Sequence, residues 1–216
     1  MKKLTRKERE KELRKELIID AAEQVIDKTG FESATMDEIA EEAELAKGTL
    51  YLYFKNKTAI YLAICKRGSV LLNQRLGKVI SHNLTGLEMV REMGNEYLSF
   101  IQENPRYFTA FGYYESILGD EEVASSKLAE ECNEQAKEAM AFIIRALQIG
   151  IQDGSVKDEI DPHELGIILW GASKGVIHMA FLKQKRSRLE LFDDVEFSTE
   201  SLISNFIKII GSGIEK

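Results

Sequence analysis

Residues 35–57, TMDEIAEEAELAKGTLYLYFKNK, read as a short helix, a tight break, a second short helix and the start of a third. Thr35 is placed to cap the first helix, with Glu38 three residues on able to reach back and close a capping box. Met36, Ile39, Ala40 and Ala43 recur at spacings of three and four and share one apolar face. A break at Glu44–Leu45 separates them from a second apolar set, Leu50, Tyr53 and Phe54, and Asn56 can cap the helix that follows. Two short helices joined by a tight turn form the DNA-binding helix-turn-helix pattern, and equally an ordinary αα-corner.

Upstream, a helix is expected from about Thr5 to Thr29, carrying Leu13, Leu17, Ala21 and Val25 at every fourth position with Ile18, Ala22 and Ile26 beside them. Gly30 suits the left-handed position that ends a helix, and Phe31 would anchor a small three-helix core. Downstream, TAIYLAIC opens a long connecting helix to about His82, and Thr85 with Glu88 forms another capping box. Asn104-Pro105 and Asp161-Pro162 place a cap before a proline at the first helical position. The first proline starts RYFTAFGYYESIL, and the second starts a helix running to near Lys185. Between them a long helix is expected from about Glu121 to Asp153, closed by Gly154. A charged loop over Arg186–Phe197 would precede a last helix from Ser198 to about Ile210, ended by Gly211. No stretch alternates with period two, so the expected class is all-α.

Net charge is −7 over 216 residues, which alone argues against a general nucleic-acid binder. Its distribution changes that reading. The first fifteen residues hold eight basic side chains (Lys2, Lys3, Arg6, Lys7, Arg9, Lys11, Arg14, Lys15) against Glu8, Glu10 and Glu12, leaving +5 there and −12 on the rest. A basic end on an acidic body would orient the molecule on DNA. The same stretch also reads as a solvated helix with Glu8–Lys11 and Glu12–Lys15 pairs. No apolar run approaches the roughly 18 residues of a membrane span, no signal-peptide apolar region follows the basic start, and the expected location is cytoplasmic. Cys65 and Cys132 lack metal-ligand spacing and read as buried apolar side chains, with a redox thiol as the alternative. No metal site and no cofactor is expected.

The run Lys47-Gly48-Thr49-Leu50-Tyr51-Leu52-Tyr53-Phe54-Lys55-Asn56-Lys57, preceded by Gly30-Phe31, Thr35 and Ile39-Ala40, resembles the helix-turn-helix of the TetR family of bacterial transcriptional regulators. The resemblance covers about residues 15–60. It implies an N-terminal three-helix helix-turn-helix domain, residues 1–57, and a larger helical ligand-binding and dimerisation domain, residues 58–216. It also implies that Lys47, Gly48, Thr49, Tyr51 and Leu52 read DNA while Thr35, Tyr53 and Lys57 hold its backbone.

The chemistry of these side chains agrees. An α-helix fits the major groove of B-DNA, where a lysine can donate to guanine O6/N7 and a leucine can contact a thymine methyl. Gly48 would let the backbone approach closely. Lys55 and Lys57 flank the next helix start, where phosphate is favoured, and Tyr53 could instead simply pack with Phe54. Three positions depart from the family's pattern. Glu44 stands where glycine is usual, Ala46 where serine usually caps the recognition helix, and Asp37 where a base-reading arginine sometimes sits.

A single helix reads too few base pairs, so a homodimer on a palindromic double-stranded operator is expected. The last two long helices are its expected surface, through Gly166, Gly171, Ala172, Ser173, Gly175, Leu165, Leu169, Val176, Leu202, Phe206, Ile209 and Ile210. The alternative places these residues in the monomer core. An unknown small-molecule inducer, lipophilic by default, is expected among Met89, Met93, Tyr107, Phe108, Phe111, Tyr114, Phe142, Trp170 and His178. An enzyme is not expected, since His82, His163 and His178 stand in no nucleophile–base or metal motif. A third reading is a regulator that has lost DNA binding and acts through protein contacts.

Overall fold

Helix caps divide the chain much as the sequence suggests. The computed structural model describes residues 5–184 and 196–216. Among these the helices are α1 Arg6–Thr29, α2 Met36–Glu42, α3 Lys47–Tyr53, α4 Lys57–Ile80, α5 Gly86–Glu103, α6 Pro105–Ser116, α7 Glu121–Ala124, α8 Lys127–Asp153, α9 Pro162–Gln184 and α10 Thr199–Ile214. Extended backbone among the described residues pairs only at an isolated antiparallel bridge, Val156 with Glu215. The all-α expectation holds. Most of the expected charged loop, and Lys2 and Lys3, lie outside the described residues.

Two compact units emerge: Met1–Val70 with Asn104–Gln135, and Leu71–Glu103 with Ala136–Lys216. This division differs from the sequence-based boundary after Lys57. The first unit also takes in the early turns of α4, and α6, α7 and the start of α8.

In the first unit, Thr5 and Glu8 close a capping box at the start of α1, and Gly30 at φ 86 ends it with its N–H on the Ile26 carbonyl at 2.8 Å. Buried positions begin at Ile18 and continue through Ile19, Ala21, Ala22, Val25 and Ile26. Leu13 and Leu17, expected on the same stripe, are 70% and 40% exposed. Periodicity marks a face, but the described residues supply nothing to cover its first turns. Phe31 stacks on Tyr61 at 3.9 Å between ring centroids and lies 5.1 Å from Tyr113. Tyr61 donates its hydroxyl to the Phe31 carbonyl, and burial raises its pKa to about 12.

Behind this core, Glu23 is a buried carboxylate on α1. It accepts from the Tyr107 hydroxyl at 3.0 Å and pairs with Arg67 and Arg106, each at 3.3 Å. Arg67 also pairs with Asp20 at 2.6 Å, and Arg106 with Asp27 at 3.1 Å. A buried charge is tolerable only when neutralised and hydrogen-bonded, and these two arginines meet that demand while tying α1 to α4 and α6. Cys65 and Cys132 are buried. The Cys132 thiol donates to the Leu62 carbonyl at 3.3 Å, and the hydrogen bond to Cys132 and burial push the Cys65 thiol well above its ordinary range. Both behave as packed apolar groups.

The second unit is built on a cluster of Leu87, Leu147, Val156, Leu165, Leu169 and Ile214. Gly86 and Gly150 let two backbones touch: a Cβ on Gly86 would fall 2.0 Å from the Gly150 nitrogen. Three expectations are corrected. The helix expected from Glu121 to Asp153 is broken, because Asp120 caps α7 through Glu122 and Val123 while Ser126 accepts from the Ala129 N–H at 3.2 Å and starts α8. The last helix runs through Gly211 to Ile214. Residues Pro162–Lys183 of α9 are long and apolar enough, by length and composition alone, to cross a membrane. Its Ile, Leu, Val, Met and Phe side chains carry that apolarity, interrupted by glycines and a serine, and the core helix of a helical bundle passes the same test.

The turn between α2 and α3 carries the one described non-glycine residue with positive φ, Glu44 at 53°. The Leu45 N–H bonds the Ala40 carbonyl at 2.9 Å and the Glu44 N–H bonds Glu41 at 3.0 Å, a Schellman closure that requires the left-handed residue. Holding a side chain there costs about 1–2 kcal/mol, partly offset in a glycine variant by its larger unfolded-state entropy. Glu44→Gly is therefore expected to raise the thermal midpoint by about 2–4 °C in calorimetry, whereas an unchanged or lower midpoint would show that the turn is unstrained.

Candidate nucleic-acid interface

The outward surface of α3 follows from what its inner face buries. Leu50 is fully buried and Phe54 nearly so, which turns Lys47, Gly48, Tyr51 and Leu52 outward. Leu52 is 80% exposed and Tyr51 44%. The two are neighbours in the chain and both stand on the outward side of α3. Nothing lies within 4 Å of where a Cβ on Gly48 would stand, so backbone and groove could approach there. Thr49 is half-buried and Lys55 exposed. Ala46 occupies the N-cap of α3 without a side-chain cap bond, as its departure from serine implies.

Thr35 caps α2 in the expected box: its hydroxyl accepts from the Glu38 N–H at 3.2 Å, and its own N–H donates to the Glu38 carboxylate at 2.8 Å. Asn56 accepts from the Ala59 N–H at 2.9 Å at the start of α4. Lys57 donates to the Glu32 carbonyl at 2.8 Å and lies 5.5 Å from the centre of the Tyr61 ring. Both contacts are made by the ammonium itself, so the charge is held at the helix start by a carbonyl and a ring face while the residue stays half-buried. Tyr53 is half-buried beside buried Phe54.

Asp37 and Lys47 are joined in a way that spacing could not show. Their side chains form an ion pair of 2.6 Å between the first turns of α2 and α3, both more than half exposed. The hydrogen bond to Asp37 raises the Lys47 pKa above its ordinary value. Asp37 thus neutralises the lysine that faces outward and holds it in one direction. On α1, Arg6 pairs with Glu10 at 2.8 Å and Lys15 with Glu12 at 3.0 Å. Glu8 does not pair with Lys11 as expected but serves the α1 capping box, where bonds from Thr5 lower its pKa. Lys7, Arg9, Lys11 and Arg14 remain exposed.

The second unit holds a cavity of about 90 Å³, lined from α4, α5, α8, α9 and α10. Of the residues expected at a ligand, Met93 and Trp170 line it. Met89 and Phe142 belong to the same unit outside the lining, and His178 is exposed. Tyr107, Phe108, Phe111 and Tyr114 belong to the first unit, where Tyr107 serves Glu23 and Tyr114 donates to the Ala129 carbonyl at 3.3 Å. Sequence reasoning favoured the dense aromatic helix and missed Arg91, Ile203 and Ile207. The available signal was the spacing of Ile203, Phe206, Ile207 and Ile210 along α10, which carries a face separate from that of Ile209. Among the described residues no three His, Cys, Asp or Glu side chains are grouped to hold a metal.

Residues 18–64 match the sequence pattern of the bacterial regulatory proteins of the tetR family. The chain is 30% identical over 146 residues to the fatty acid metabolism regulator protein of Bacillus subtilis, covering 67% of this chain and 71% of that one. Its fold is similar to the transcriptional regulator FadR of Bacillus subtilis, solved in complex with stearoyl-CoA, with TM-score 0.68 and 23% identity over 92% of this chain and 98% of that one. It is also similar to AibR, solved with isovaleryl coenzyme A and operator DNA, with TM-score 0.62 and 17% identity over 91% and 97%. With its helix-turn-helix, its all-helical body and this relationship, the chain belongs to the TetR family and is a transcriptional regulator.

Proposed function

We propose that the protein is a one-component repressor that binds a palindromic operator as a homodimer and leaves it when an acyl-chain ligand occupies the second unit. The observation that carries the reading is the outward set Lys47, Tyr51 and Leu52 on a helix whose inner face is buried. Lys47 would donate to guanine, Leu52 would meet a thymine methyl, and Thr49 and Tyr51 would reach bases or sugar. Thr35, Tyr53, Lys55 and Lys57 would contact phosphates and set the register. Residues 1–57 would serve as the DNA-binding domain and 58–216 as the ligand-binding and dimerisation domain. The location that goes with this role is the bacterial cytoplasm.

Dimerisation is supported by the outer faces of α9 and α10. Ile167 is 65% exposed, Ile168 53% and Ile209 70%, and Gly171 and Gly175 have open space around them. Such a face is apolar and permits close helix approach. The acyl-chain reading is supported by the apolar walls of the cavity and by the acyl thioesters with which FadR and AibR were solved. Release would follow from tighter ligand binding to a form whose two recognition helices are mis-spaced for DNA. α4, continuous from Lys57 to Ile80, is the natural transmitter.

In anisotropy titrations, Lys57→Ala is expected to weaken all sequences alike and lower the salt slope by about one, while Lys47→Ala also relaxes base preference. Asp37→Asn, which removes a negative charge beside the groove, should tighten non-specific binding about threefold to tenfold. Unchanged binding in both lysine variants would remove these residues from the interface. For the dimer, Ile168→Glu combined with Gly171→Glu should sediment as a monomer and bind the full palindrome no better than a half-site. A dimer that survives both substitutions would place the interface elsewhere.

A further inference from the structure

The cavity of the second unit has room for several waters, given the roughly 10–15 Å³ that one requires, and its walls are too apolar to hold water well. Leu72, Leu76, Met93, Ile177, Ile203 and Ile207 are among its lining. One charged side chain reaches that lining, Arg91 of α5. Its approach depends on Gly211 of α10, where a Cβ would stand 2.6 Å from the Arg91 Nε. Gly211 thus leaves room for the arginine where it stands, and α10 runs on past it to Ile214, against the expectation that Gly211 ends it. Arg91 is not buried: its side chain is 37% exposed, so the cation stands where the apolar space meets solvent.

A carboxylate already sits on it. Arg91 Nη2 donates to Glu215 Oε2 at 2.9 Å, and Glu215 is half exposed. The Glu215 backbone is held in place by its N–H on the Gly211 carbonyl at 3.0 Å and by the bridge to Val156. Exposed pairs of this kind contribute little to stability, so Glu215 is a weak and replaceable occupant. The guanidinium's planar fork suits a carboxylate or a phosphate in the same position.

We propose that this unit binds an amphiphile whose alkyl chain enters the apolar cavity and whose anionic head group takes the Glu215 carboxylate's place on Arg91. The inference rests on the reading of the cavity as the ligand site and adds the head-group chemistry. The head group stays at the rim because an anion cannot be buried unpaired among aliphatic walls. The Arg91 fork accepts the head of a free carboxylic acid or a phosphate of an acyl thioester, and the two sources are told apart by experiment.

The test is calorimetric titration of the full chain with decanoic acid, decanoyl-CoA and decanol, all below their aggregation limits. The unaltered protein should bind at least one of the two anions about tenfold or more tighter than decanol. Arg91→Gln should abolish that preference while decanol binding persists, which also shows that the variant is folded. Glu215→Gln should tighten the preferred anion severalfold and leave decanol unchanged. An Arg91 dependence confined to decanoic acid assigns a carboxylate head, and one confined to decanoyl-CoA assigns a phosphate. Equal affinity for all three, or a preference that survives Arg91→Gln, overturns the inference and leaves the cavity as a ligand site. Failure of all three to bind the unaltered protein overturns the cavity reading together with it.

Discussion

A seven-residue helix has under two turns and no stability of its own, so the direction in which α3 faces depends on how Leu50 is held. Leu50 is fully buried, and Phe54, one turn on, is nearly so. Burying each contributes about 1.5–3 kcal/mol, far more than any single surface contact. Rotating α3 far enough to bury Leu52 would expose Leu50. The turn at Glu44 and the Asp37–Lys47 pair then refine an orientation that apolar burial has already selected. Which side chains of α3 could reach DNA follows from that constraint.

The first unit commits much of its polar chemistry to keeping α1 in place. Glu23 is buried with two arginines and a tyrosine hydroxyl on it, and Phe31, Tyr61 and Tyr113 close the core next to the helix-turn-helix. Removing one partner of such a network leaves a buried charge unmet, which costs far more than the pair itself is worth. The second unit contrasts with this, being mainly aliphatic around a cavity with one cation at its edge. One unit holds its helices through a buried charge network, and the other packs largely aliphatic side chains around a cavity.

What the sequence revealed was mostly local. The Thr35–Glu38 and Thr85–Glu88 boxes, Asn56 and Asp161-Pro162 each act within four residues and take the expected form, while Gly30 ends α1 at positive φ but with an extended ψ of 160°. The strain at Glu44 and the missing cap at Ala46 were legible for the same reason. What escaped depended on distant partners. Leu13 and Leu17 have the period of a buried stripe but no described neighbour to bury them. Tyr107 belongs to Glu23, 84 residues away, and an aromatic-rich helix cannot announce that. Gly211 reads as a stop, but α10 continues through it and the Arg91 side chain, distant in sequence, lies against it. Asp37 read only as a departure from an arginine position, because its partner Lys47 lies across a turn.

In the proposed function the exposed side of α3 reads base edges, twice over in a symmetric dimer. Selection from random double-stranded DNA by the purified full chain, with the enriched sequences read as a motif, tests it most directly. The account predicts an inverted repeat whose half-site centres lie one helical turn, about 34–36 Å, or a multiple of it apart. The absence of any enriched motif, or a motif without two-fold symmetry, would contradict it.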